Sequence, residues 1–439
     1  MKDEFLKQMQ DLLKDEYPAY VQSLSDPPER GFRINTLKNA SADAFFKKVS
    51  IAHTKSPFAS NGFYLKDTIN PSSMPEYMAG AFYMQEPSAS SAVTILDPKP
   101  GMAVLDLCAA PGSKTTQILE KIHHEGIVIA NEINHKRAEV LLENVMRNGA
   151  ANCIVLNDDT HTLSKAFSEC FDQVLCDAPC SGEGMMRRDT EAEKQWSLDL
   201  VKQCALRQTD ILEQAYACLK KGGTLVYSTC TLNTTENEQQ ILQFLQRHED
   251  MHMIPSGVSF GHDGVITDHD INLARRIYPM DGGEGHFVAK MHKDGYDDTD
   301  HFAYLKTTVI PSDIKKMLKE DLDKEYPYLY LYKDRLYAGT HPFIKTDGCH
   351  VMRNQVLLGE IRKNRFMYHH HAFVSAYAGF KRHYDMNDEE VKRYMHGEQI
   401  SADLQKGWYA MCYHSYVIGG GKSDGHALKN HYPKVYRTR

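Results

Sequence analysis

The spacing of apolar residues changes along the chain. In FLKQMQDLL (5–13) they recur at three- and four-residue intervals, the period of a helix with one buried face. Past a turn at Asp26-Pro27-Pro28, RGFRINTLK (30–38) predicts a strand, giving a small α+β unit at the start. From residue 103 short apolar runs take over: AVLDLCA (103–109), GIVIANE (126–132), NCIVLN (152–157), FDQVLCDAP (171–179) and GTLVYSTC (223–230). Helical patterns near 114–123, 135–148, 199–220 and 235–248 alternate with them, which predicts a doubly wound parallel sheet. RRIYPMDGGEGHFVAKM (275–291) reads as two strands about a glycine-rich turn that close this sheet. A boundary falls near 295–310. Beyond it a helix over 312–323 leads through YPYLYLYKDRLYA into a last segment, where IGGGKSDGHALKNHYPK is too rich in Gly and Lys for a packed helix.

Composition narrows the class. The 439 residues are 42% hydrophobic and 25% charged with mean hydropathy −0.50, as expected of a soluble chain large enough for several domains. No apolar run reaches the about 18 to 20 residues of a membrane span. The opening MKDEFLKQMQDLLKDEY is acidic and amphipathic, so a cytoplasmic protein with no membrane partner is expected. Ten cysteines without a C-x-x-C pair predict reduced thiols. His369, His370 and His371 are adjacent and point in different directions on any regular element, so no metal is expected. The net charge of −7 hides a gradient: residues 331–439 carry 17 Lys+Arg against 10 Asp+Glu, and 11 of the 24 tyrosines. Cations interleaved with aromatics suit RNA, although Trp408 in KGWYAMCYHSY is expected in the core.

The chemistry concentrates at strand ends. DLCAAPGSK (106–114) stands where the first strand passes into a helix, and free amides with a glycine allow close approach of a nucleotide-like ligand. Its spacing is neither that of a P-loop nor G-x-G-x-x-G. Glu132 follows Asp106 by 26 residues, where an acid accepts both hydroxyls of a ribose, so the ligand carries adenosine. Asp159 in LNDDT can bond the adenine amine; Asp158 is equally eligible, and either can serve as a turn acid. Lys114 supports the ligand's carboxylate or the substrate, or else is a solvated surface lysine.

Cys180 in DAPCSGEG and Cys230 in YSTC close the fourth and fifth strands, and adjacent strand ends converge on one crevice. Polar turns near helix N-termini lower a thiol pKa below about 8.5, which marks both as nucleophile candidates. Cys153, Cys170, Cys204 and Cys218 read instead as small buried hydrophobes. Carbon 5 of cytosine accepts a methyl group only after a thiolate adds at carbon 6. An acid at ring nitrogen 3, a task suited to Asp177, stabilises the charge that develops. The other thiol assists loss of the carbon-5 proton, and the base is flipped out or single-stranded. The residues alone do not say which thiol attacks. Arg187 and Arg188, seven and eight residues beyond Cys180, are expected to meet substrate phosphate.

These stretches, in this order, resemble the RNA (cytosine-5) methyltransferases of the Sun and nucleolar-protein family, in its bacterial RsmF-like branch. The resemblance rests on RINTLK (33–38), YMQEPSAS (83–90), LDLCAAPGSKT (105–115), DAPCSGEGMMRRD (177–189), YSTCTLNTTENE (227–238) and RIYPMDGGEGHFVAKM (276–291). KNHYPK (429–434) is similar to that branch's last module. The resemblance implies S-adenosylmethionine, contacted by Cys108, Ala109, Ala110, Pro111, Gly112, Ser113, Lys114, Glu132, Asp159 and Asp177. It implies Cys230 as nucleophile and Cys180 as the residue aiding product release. It further implies a Rossmann-like, seven-stranded class I methyltransferase sheet, one strand antiparallel, over residues 73–295. An α+β RNA-binding unit over 1–72 and a C-terminal RNA-binding region with a PUA-like β-barrel over 296–439 would flank it. The implied partner is 16S ribosomal RNA or the small ribosomal subunit, bound by a monomer. Two rival functions fit part of the pattern. A DNA cytosine-5 methyltransferase is opposed by the threonine-cysteine motif and the terminal module, and a silent adenosine-binding RNA chaperone by the two intact thiols.

Overall fold

The computed structural model describes residues 2–66, 68–363 and 365–438. At its centre lie β1 (Ala103–Asp106), β2 (Ile127–Asn131), β3 (Cys153–Leu156), β4 (Phe171–Asp177), β5 (Leu219–Thr229), β6 (Met251–Met253) and β7 (His286–Lys293). In space they run β3-β2-β1-β4-β5-β7, with β6 on the far side of β7. The first five are mutually parallel, and β7 runs antiparallel to β5 and β6. The expected seven strands are thus present, and three more extend the sheet to ten. Arg275–Ile277 and His262–Asp263 lengthen the β7 edge. Val351–Asn354, from the C-terminal region, pairs antiparallel with β3 at the other edge.

Alternation along these strands builds two cores. Helices α1 (Ser113–Ile122) and α2 (His135–Asn148) cover one face, where Ile118, Leu119, Leu141 and Val145 meet Val104, Val128, Leu175, Val226 and Val288. Helices α3 (Thr160–Ala166), α4 (Leu198–Cys218) and α5 (Glu238–Arg247) cover the other, where Leu163, Leu212, Ala215 and Phe244 meet Leu105, Ile129, Val174, Tyr227 and Phe287. Strand residues buried on both faces are what made the sequence runs continuously apolar.

The N-terminal unit is a four-stranded antiparallel sheet in the order His53–Lys55, Gly62–Leu65, Gly31–Ile34, Phe82–Met84. The strand expected over 30–38 stops at Ile34, because the Asn35 side chain accepts the Leu37 N–H (2.9 Å) and turns the chain. The C-terminal region holds a four-stranded antiparallel sheet over 328–368 and a five-stranded sheet over 383–430. In the latter the glycine-rich run forms strand Tyr416–Ser423, and a side chain at Gly420 would collide with the Phe373 ring. Trp408 is buried against Tyr368 and Phe373, as expected. Phe32, Phe45 and Phe82 share one core with Val391, Tyr394, Tyr416 and Leu428, so the two ends of the chain pack together.

Candidate active site

The carboxyl ends of the parallel strands open onto a cavity of about 630 Å³. Beyond Asp106 the chain is held between neighbouring strands: Leu107 donates its N–H to the Leu175 carbonyl (3.0 Å) and Ala109 to that of Asn131 (2.8 Å). Gly112 then turns the chain into α1 with φ +106°, and a side chain there would lie 3.1 Å from Leu141 of α2. Only glycine satisfies both conditions. Cys108 and Ala110 line the cavity, whereas Ala109, Pro111, Gly112 and Ser113 make the turn that shapes it.

One end of the cavity fits adenosine. Glu132 is buried, its Oε1 taking the Asn134 N–H at 2.9 Å, with Arg137 3.5 Å from Oε2. A carboxylate has about four acceptor sites, so capacity for a pair of hydroxyls is left. Beside it Ile133 is apolar yet 69% exposed, and it lines the same wall. Open apolar surface next to a buried carboxylate matches a base joined to a ribose. Asp159 also lines the wall as N-cap of α3, where the Thr162 N–H (2.8 Å) holds its carboxyl below the usual range. Asp158 is engaged elsewhere, taking the His350 N–H at 2.6 Å.

The other end is chemical. Lys114 donates to Asp177 Oδ2 (2.7 Å) and the Ser228 hydroxyl to Oδ1 (2.7 Å). Lys114 is buried, so it is not a solvated surface lysine. Burial pushes the Asp177 carboxyl up, but the Lys114 charge and the hydrogen bonds from Lys114 and the Ser228 hydroxyl outweigh it and hold the group below the usual range. The neutral acid expected at this position is therefore a carboxylate. Its partner carries the proton: burial pulls Lys114 down, and the Asp177 charge returns it above its ordinary value.

Cys180 Sγ and Cys230 Sγ are 3.3 Å apart at the same wall. Contact with Cys230, then burial, pushes the Cys180 thiol well up, contrary to the lowering its polar turn predicted. The lysine charge acts on Cys230 as well as on Asp177. At this distance either sulfur can donate its S–H to the other.

Two buried glutamates that sequence reasoning missed lock the thiol-bearing loops together. Glu183 takes the Leu232 and Asn233 N–H groups (2.8 Å each) and the Trp196 indole N–H (2.9 Å). Glu236 takes the Ser181 N–H (3.0 Å), the Asn233 and Gln208 amides (2.8 Å each) and the Ser181 hydroxyl. The one signal was acidic residues inside motifs otherwise rich in Ser, Thr and Gly. Arg33, also missed, reaches from the N-terminal sheet to α1, donating to Glu120 (2.8 Å), Thr116 (2.7 Å) and the Ser113 carbonyl (3.1 Å).

Arg187 and Arg188 are not free for phosphate. Arg187 forms a two-point pair with buried Glu284 (2.8 and 3.0 Å) and donates to the Ser23 carbonyl (2.5 Å). Arg188 stands 3.3 Å from Glu284 and donates to the Glu29 carbonyl. Both tie their loop to the N-terminal unit. Among the described residues, no His, Cys, Asp and Glu side chains converge as a metal site, and no helix is long and apolar enough to cross a membrane.

A seven-strand core with an antiparallel β7, a turn-and-helix after β1 and an acid after β2 define the class: methyltransferases dependent on S-adenosylmethionine. Residues 93–292 match the family described as 16S rRNA methyltransferase RsmB/F. Residues 1–87 match the N-terminal domain of 16S rRNA methyltransferase RsmF, and residues 381–438 the RsmF PUA domain. The chain belongs to the RsmB/F methyltransferase family. It is 33% identical to the ribosomal RNA small subunit methyltransferase F of Erwinia tasmaniensis, over 98% of this chain and 95% of that protein. The namesake from Shewanella oneidensis is 32% identical, over 94% and 92%. Among solved structures, a methyltransferase homolog from Pyrococcus horikoshii is 31% identical with a TM-score of 0.60, covering 67% of this chain and 95% of its own. NSun6 from the same organism, 22% identical with a TM-score of 0.59 over 67% of this chain and 99% of its own, shares the fold.

Proposed function

We propose that this protein methylates carbon 5 of a cytosine in 16S ribosomal RNA. The observation that carries this reading is the pair of sulfurs, 3.3 Å apart, on the wall of a cavity that also holds Glu132 and Asp159. The relatives named as small-subunit ribosomal RNA methyltransferases support the substrate class.

S-adenosylmethionine, when bound, supplies a methyl group on a positively charged sulfur. Glu132 would hold its ribose, Asp159 and Ile133 its adenine, and Cys108 and Ala110 its passage toward the thiols. Cys230, as thiolate, adds to carbon 6 of the flipped base and makes carbon 5 nucleophilic. Lys114, paired with Asp177, meets the negative charge that this addition sends toward ring nitrogen 3 and can deliver a proton there. After methyl transfer the Cys180 S–H passes its proton to the Cys230 sulfur as the bond from that sulfur to carbon 6 breaks, Cys180 then takes the proton that carbon 5 gives up as the ring double bond re-forms, and ring nitrogen 3 returns its proton to Lys114. The N-terminal unit, expected to end at residue 72 but carried to Met84 by its fourth strand, and the C-terminal region (296–439) would hold the RNA as a monomer on either side of the cavity.

Transfer of labelled methyl to small-subunit RNA, with DNA as comparison, tests the reading. Cys230→Ala should abolish transfer while S-adenosylhomocysteine still binds; Cys180→Ala should accumulate a protein–RNA adduct that survives denaturant. Exchange of these two outcomes would reverse the roles of the thiols, and label on DNA alone would overturn the substrate.

A further inference from the structure

His286 is a buried side chain that the steps above leave unused. It begins β7, one residue before Phe287, which pairs with Thr229; the next position across is Cys230. Val288 lies opposite Ser228, and His286, two residues on, shares their face of the sheet, the face on which Ser228 reaches Asp177. The charged groups facing the imidazole are Lys114, Asp177 and Glu86, whose Oε2 lies 3.9 Å from Nδ1. Nδ1 lies 3.4 Å from the Ser88 hydroxyl, which itself donates to Glu86. Nε2 is buried and has no partner.

A buried polar atom without a partner is costly, so one beside Lys114 and Asp177, the latter in the cavity wall, points to a ligand that reaches in and completes it. Burial, then the Lys114 charge, drives the His286 pKa down to about 3, so the ring stays neutral. With Nδ1–H directed at Ser88, Nε2 is an acceptor. The flipped base offers three polar groups on its Watson–Crick edge. Ring nitrogen 3 and the carbonyl oxygen are acceptors and cannot complete Nε2, whereas the exocyclic amine is a donor with two hydrogens. The Asp177 carboxylate takes one of these at most from its own side of the edge.

We propose that His286 Nε2 accepts a hydrogen bond from the exocyclic amine of the target cytosine and so rejects uracil, which presents an acceptor there. This rests on the methylation reading above. A neutral imidazole facing a carbonyl oxygen would leave both lone pairs opposed, the arrangement by which buried acceptors discriminate most strongly.

The test uses the full-length protein and the small-subunit RNA fragment it methylates, with cytosine or 2-pyrimidinone, which lacks the amine, at the target position. Labelled methyl incorporated in a single turnover counts adduct and released product alike. His286→Phe should slow cytosine methylation about 10- to 100-fold, leave the 2-pyrimidinone rate within about twofold, and leave S-adenosylhomocysteine affinity unchanged by calorimetry. His286→Gln, whose amide oxygen is an acceptor, should recover part of the cytosine rate. Equal slowing on both bases, or none on either, would overturn the assignment. Absence of label with the wild-type protein on the cytosine RNA would instead overturn the methylation reading itself.

Discussion

Cys180 and Cys230, 50 residues apart in the chain, hold their sulfurs 3.3 Å from each other. That separation is closer than two free thiols need to be and only a small motion from a covalent bond. Treatment with the azo oxidant diamide, which accepts two protons and two electrons, should close a Cys180–Cys230 disulfide. Two of the ten free thiols should disappear, methyl transfer should stop, and dithiothreitol should restore both. Cys180→Ser protein losing the same two thiols would sink the prediction.

Glu236 governs that separation. Its carboxylate bridges the Cys180 loop, through Ser181, to the Cys230 loop, through Asn233. Glu236→Gln replaces an acceptor for several donors by a group that is itself half donor. The expected result is a fall in kcat of about tenfold or more with S-adenosylhomocysteine affinity intact, together with slower disulfide closure by diamide. Unchanged closure kinetics would show that Glu236 does not set the sulfur contact.

Arg33 and Glu120 form a buried pair across the seam between the N-terminal sheet and α1. Arg33→Ala leaves the glutamate uncompensated, a loss of about 3 to 5 kcal/mol in folding free energy. Because Arg33 also holds the Ser113 carbonyl, S-adenosylhomocysteine binding should weaken as well. Urea unfolding and calorimetry measure the two effects, and a change under about 1 kcal/mol would contradict the account.

Asp106 and His286 respond to pH in opposite senses. Burial pushes Asp106 up to about 7 and His286 down to about 3. Above pH 4 the unfolded chain has lost the Asp106 proton while the folded chain keeps it until about 7, so this group's contribution falls as pH rises. Below about 6.5 the unfolded chain charges His286 while the folded chain does not, so its contribution rises with pH. Each has a limiting slope of about 1.4 kcal/mol per pH unit, and between about pH 4 and 6.5 they offset. Asp106→Asn should therefore make stability climb more steeply with pH in that window, and His286→Phe should make it decline. Urea melts at half-unit steps decide it; identical slopes in all three proteins would refute the assignment.

The central sheet was legible because fully buried strands write themselves as runs such as GIVIANE, and because Asp106, Glu132, Cys180 and Cys230 sit where those runs end. Less legible were residues whose role depends on partners far along the chain. Arg33 lies 87 residues from Glu120, and Arg187 lies 97 from Glu284. Arginine spacing alone cannot separate an internal pair from a phosphate clamp, which is why Arg187 and Arg188 were misread. The protonation of Asp177 was misjudged for the same reason: it is set by Lys114, 63 residues away. Nor does any local pattern announce that Val351–Asn354 joins β3, since VMRN is short and only half-buried.

That joined strand makes the C-terminal region poor material for cassette swapping. Asn157 donates its N–H to the His350 carbonyl (3.0 Å), and His350 donates to Asp158, so the stretch next to Asp159 is stitched to the terminal module. A version truncated before residue 350 would leave β3 with an open row of backbone donors and acceptors, a template for aggregation. Grafting another RNA-reading module onto this catalytic sheet would therefore require carrying the edge strand along with the sheet it completes.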